Sequence, residues 1–117
     1  MIDTDTTRMV IDQFNAAFNA HAVEAVMALM TDDCVFENTY PPPDGERFEG
    51  QVAVRANFAA FFAESPRAHF EFEDTFVCDD RACVRWLYRW ETGHVRGVDV
   101  FRVRNGRIAE KLSYVKG

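Results

Sequence analysis

The chain has 117 residues, 48% of them hydrophobic, and 13 Lys and Arg stand against 19 Asp and Glu for a formal charge of -6. That length suits one domain with a sizeable core and is too short for two. The acidic balance excludes the basic face that nucleic acid or an anionic membrane surface requires.

The opening "MIDTDTTRMV" lacks the basic and apolar regions of a secretion signal, and no apolar run reaches the ~20 residues of a membrane span, so a cytoplasmic protein is expected. Over residues 4–21, Met9, Val10, Phe14, Ala17 and Phe18 fall on one stripe at helical spacing, with an N-cap among Thr4, Asp5 and Thr6. A break at "NAH" precedes a second helix, "AVEAVMALM", which ends in a turn at "TDD". "CVFENTY" reads as a short strand and "PPPDGER" as a loop, because its prolines cannot donate to a ladder. A third helix, "QVAVRANFAAFFAE", carries Val54, Phe58, Phe61 and Phe62 and stops before Pro66.

The rest reads as strands. "AHFEFEDTFV" alternates at Phe70 and Phe72, and "ACVRWLYRWE" sets Val84, Trp86, Tyr88 and Trp90 against Arg85, Leu87, Arg89 and Glu91. "HVRGVDVFRVR" and "RIAEKLSYVK" are joined by Asn105–Gly106, the strongest short hairpin signal. With no repeat or linker, residues 1–117 form a single α+β domain: three N-terminal helices packed on a curved antiparallel β-sheet. Such a sheet, closed by helices, is a cone whose inside suits a ligand.

The cysteines, Cys34, Cys78 and Cys83, are odd in number and lack CxxC spacing, which fits reduced, packed thiols. His21, His69 and His94 share no metal-ligand spacing. No Gly-rich phosphate loop, GxSxG elbow or Cys–His pair appears, so neither metal nor cofactor is expected.

One residue breaks the apolar pattern. Asp99 lies between Val98 and Val100 and shares its strand face with Phe101 and Val103. A carboxylate there is costly unless it is used or neutralised. Two readings stand: Asp99 faces the hollow as a hydrogen-bond donor or general base, or it is paired with Arg89 or Arg96 on a neighbouring strand. Likewise, the Trp86, Tyr88, Trp90 stripe is either a sheet face packed under helices or the wall of an apolar cavity.

Three stretches in order, "FNAHAVEAVMALMTDDCVFEN", "FEGQVAVRANFAAFF" and "GVDVFRVRNGRIAEKLSYVKG", resemble the NTF2-like superfamily in its SnoaL-like and ketosteroid-isomerase-like branch. The second matches that family's third helix at Gly50, Ala53, Val54 and Phe58. The isomerases of this branch use a carboxylate base, with a Tyr and a protonated Asp donating to an oxyanion. By resemblance, Asp99 falls on the donating Asp, Asn38 falls where the base belongs, and Phe14 falls where the Tyr belongs. Asn38 cannot take a proton and Phe14 has no donor, while Glu37 alternates to the other face.

The resemblance also implies a pocket for a small hydrophobic molecule. Its walls are Phe14, Phe18, Tyr40, Phe58, Phe62, Trp86, Trp90, Phe101, Ser113 and Val115, and its catalytic positions are Asp99 and Asn38. Limonene-type epoxide hydrolases, a second branch, carry Arg-x-Asp on one strand and an Asp on the last. Arg89 and Glu91 offer the first, but Ser113 stands at the second, so that dyad is incomplete. The outer sheet face, with Leu112, Tyr114 and "VRWLYRW", is expected to join two copies in a homodimer. Two functions follow: an isomerase or cyclase using Asp99, with Asn38 positioning the substrate, or a non-catalytic binding module with a degenerate site.

Overall fold

The structure, a computed structural model, describes residues 3–117. Helix α1 (Thr4–Asn19) starts one residue earlier than its candidate caps: Asp3 Oδ1 accepts from Asp5 N–H at 3.0 Å, and its Oδ2 accepts from Thr6 Oγ1 at 2.9 Å. The first bond satisfies one of the backbone donors that a helix start leaves open, and the second pins the cap through a side-chain hydroxyl. The helix buries Val10, Ile11, Phe14 and Phe18, whereas Met9 is 54% exposed and leaves the stripe to Ile11. After a left-handed turn at His21, whose ring stacks on Phe62 at 4.7 Å, comes the short helix α2 (Val23–Ala28). The expected turn at "TDD" is instead the start of strand β1 (Met30–Glu37), where Met30 and Cys34 are fully buried.

Helix α3 (Gln51–Glu64) follows β2 (Arg47–Glu49), a three-residue strand that begins on the last residue of the proline loop and is not expected from the sequence. The helices are therefore not all N-terminal, because two strands precede the third helix. Strands β3 (Phe70–Cys78), β4 (Arg81–Trp90), β5 (Gly93–Arg104) and β6 (Arg107–Val115) complete the chain. Asn105 and Gly106, both at positive φ, make the β5–β6 turn, as a two-residue type I′ hairpin needs.

The six strands form one curved sheet in the order β2-β1-β6-β5-β4-β3. It is mixed, not wholly antiparallel, since β1 pairs parallel to β6, with Phe36 beside Lys111. Hairpins announce antiparallel pairs locally, but a pairing between the first and last strands leaves no such signal. On the concave face Phe14, Phe58, Phe101, Met30 and Ile108 pack into the core under the helices.

On the convex face Glu71, Leu87 and Arg96 share one row across β3, β4 and β5. Leu87 is only 2% exposed there. Beside it Arg89 pairs with Glu71, and Arg96 pairs with Glu73, each at 3.2 Å. The methylene stems of such arms cover an apolar side chain while their heads stay wet.

Candidate active site in the cone

The register sets the centre of the site. Asp99 stands opposite Val84 on β4 and Ser113 on β6, and Phe101 stands opposite Lys111. Directly opposed residues share a sheet face, so Asp99, Ser113, Lys111 and Phe101 all point into the concave side. Asp99 is 5% exposed. Its Oδ1 accepts from Ser113 Oγ at 2.6 Å and from Trp86 Nε1 at 3.1 Å. Its Oδ2 lies 3.4 Å from Lys111 Nζ. Arg89 and Arg96 are committed to the convex glutamates, so neither neutralises Asp99. The partner is a buried lysine on the concave side.

Trp86 reaches Asp99 because Gly97 lies beneath it. A Cβ at Gly97 would come within 2.4 Å of the indole and 2.3 Å of the Tyr114 carbonyl. Lys111 in turn is 7% exposed and lies over two aromatic rings, 4.7 Å from the centroid of Phe36 and 5.3 Å from that of Phe18. Both are within cation–π range. Behind Asp99, burial first and then the Asp99 charge push the Cys83 thiol above its ordinary range.

These groups close one end of a cavity of about 520 Å³. Phe14 and Phe18 of α1, Phe58 of α3, Trp86 of β4 and Ser113 and Val115 of β6 line it, together with Asn38 and the exposed Tyr40. Asn38 is already occupied in part: its Oδ1 accepts the Glu46 N–H at 2.7 Å, which ties the ends of the proline loop together.

Three expected wall residues fall outside the cavity. Phe62 is turned toward His21 and Phe18, one helical step off the lining face occupied by Phe58 and Phe61. Phe101 is fully buried in the core, below the cavity floor, against Phe14. Trp90 is 49% exposed at the end of β4, where its ring lies beside Tyr88 and over Gly93 rather than in the cavity.

Lys111 is the main residue that the sequence reading missed. Period two from Ser113 and Val115 places it on the same face, but a lysine in a strand ordinarily reads as surface. Asn15, buried on α1, and Phe36, Phe70, Phe72 and Tyr88 also line the cavity. Among the described residues no group of three or more His, Cys, Asp or Glu side chains is gathered to hold a metal, and no helix is long and apolar enough to cross a membrane.

The profile of the SnoaL-like domain family matches residues 11–111. No curated protein matches the chain. Among solved structures, an NTF2-like protein of unknown function from Mesorhizobium loti is 41% identical, with a TM-score of 0.87 over 97% of this chain and 93% of that one. A proposed ketosteroid isomerase from Kribbella flavida superposes with a TM-score of 0.85 at 19% identity, over 100% of this chain and 82% of that one. A proposed polyketide cyclase from Sinorhizobium meliloti gives 0.74 at 23% identity, over 90% and 93%. The last two likenesses speak for the fold alone.

Proposed function

The chain belongs to the SnoaL-like domain family of the NTF2-like superfamily, and from that premise we propose that its cone binds a small, neutral, apolar molecule bearing a carbonyl group and shifts a proton on it, as an isomerase or cyclase does. The observation that carries this reading is the inward carboxylate of Asp99, buried at the end of a phenylalanine-lined cavity of about 520 Å³. A fused-ring or short polyketide-like ligand suits that volume and lining.

In this reading Trp86 and Ser113 fix the plane of the carboxylate through Oδ1, and Oδ2, with Lys111 Nζ at 3.4 Å, takes a proton from the carbon beside the ligand carbonyl. Asn38 retains its amide N–H groups for positioning. The acidic groups at the mouth, Glu46 and Glu64, disfavour an anionic ligand.

The test is hydrogen exchange next to the carbonyl of cyclic ketones in deuterated water. Wild-type protein is expected to catalyse exchange, and Asp99→Asn to lower the rate at least about 100-fold, the usual contribution of a positioned base. Equal rates in the two proteins would defeat the enzymatic reading. The second reading, a non-catalytic binding module, is favoured by the Asn38 carbonyl already engaged at Glu46 and by the lack of a carboxylate at position 38.

A further inference from the structure

We propose that Lys111 is the group that receives the carbonyl oxygen of the ligand; this inference rests on the reading of the cavity given above. A buried ion pair contributes little to stability, since an apolar pair of similar volume does as well or better. Asp99 and Lys111 occupy such a position inside an otherwise aromatic cavity. Departures from the apolar rule of this kind gather at functional sites.

The geometry gives the ammonium spare capacity. It has three N–H groups, and its two polar contacts are long: 3.3 Å to Ser113 Oγ and 3.4 Å to Asp99 Oδ2. Charge-assisted hydrogen bonds of this type settle at about 2.7–2.9 Å. The aromatic faces of Phe36 and Phe18 lie against it, and it also borders the cavity. A ligand oxygen entering beside those rings meets a desolvated cation whose donors are unsaturated. The neighbouring Asp99 charge repels a carboxylate or phosphate ligand and leaves a neutral carbonyl as the fitting acceptor.

The pair then works as a unit. With the oxygen on Lys111, the adjoining C–H bond breaks and its proton passes to Asp99 Oδ2. The C–H electron pair becomes the new C=C bond, and the carbonyl π pair moves onto oxygen, where Lys111 stabilises the charge. Asp99 returns the proton to carbon to complete an isomerisation.

Naphthalene and 1-tetralone, two-ring probes of similar size of which only the second carries a carbonyl, test this by calorimetry and by the infrared C=O stretch of the bound ketone. The wild type is expected to bind 1-tetralone about tenfold more tightly than naphthalene, as one hydrogen bond to a charged group predicts, and to lower the stretch. Asp99→Asn, which retains Lys111, is expected to keep both effects. Asp99→Asn combined with Lys111→Met, which leaves no buried charge unpaired, is expected to lose both while still binding naphthalene. Wild type that binds naphthalene without preferring the ketone, or a double variant that keeps the preference, overturns the role of Lys111 and leaves the cavity reading intact. Failure of wild type to bind either probe overturns the cavity reading and the Lys111 role with it.

Discussion

At Gly97 the backbone of β5 passes directly beneath the Trp86 indole, and the Trp86 N–H meets Asp99 as a result. A methyl group there would strike both the ring and the Tyr114 carbonyl, which belongs to the backbone of the neighbouring strand and cannot yield. Gly97→Ala is therefore expected to destabilise the fold by about 1–3 kcal/mol and to shift Trp86 fluorescence; an unchanged urea midpoint would contradict this account. Asp99 was legible in the sequence because an acid between valines is conspicuous. Its partner was not legible, because the same periodicity that places Ser113 inside also places Lys111 there, and lysine chemistry argues for solvent. Nor could spacing alone separate Phe58 from Phe62 or Trp86 from Trp90, since what divides them is where the cavity ends.

Between elements, the convex Arg96–Glu73 pair ties β5 to β3 across β4, and Arg89–Glu71 ties β4 to β3. The Arg96 guanidinium holds the Glu73 carboxyl below the usual carboxylate range. A depressed folded-state value means the unfolded chain binds the proton more readily, so this contribution is present above the ordinary carboxylate range and is lost as pH falls through the depressed value. Stability against urea is expected to fall less steeply with acid in Glu73→Gln than in wild type, measured from neutral pH downward. Parallel curves would show that the pair adds nothing, as many exposed pairs do.

The long elements were readable for different reasons: α1 carries an apolar stripe every three to four residues, α3 is apolar nearly all round over 14 residues without Gly or Pro, and β3 to β5 alternate every two. The short strand β2 carries no period, and β1 hides its first turns behind the polar "TDD". The antiparallel pairing of β6 with β5 follows from their hairpin, whereas its parallel pairing with β1 is set by the closure of the whole sheet.

At the scale of the whole molecule, the two sheet faces divide the labour. The concave face holds the cavity, and the convex face bears Tyr114, 56% exposed, beside Val98, Arg85 and Glu73 in a shallow groove. We propose that this face pairs two copies, with Tyr114 and Val98 of one set against the same residues of the other, as a two-fold contact allows. Sedimentation is expected to give twice the chain mass of 13.4 kDa, and Tyr114→Glu to return it to the single-chain value; wild type sedimenting as one chain would end this proposal.

The placement of β6 has a consequence for how the protein comes into being. The last of the described strands to leave the ribosome lies between the first and the fifth, and it alone brings Lys111 and Ser113 to Asp99. Until it inserts, β1 and β5 present unpaired edges to one another, and the hollow has no floor. Nascent chains cut short before Arg107 accordingly carry Asp99 without Lys111 or Ser113, so its carboxylate gains these two neighbours only when this segment has been made.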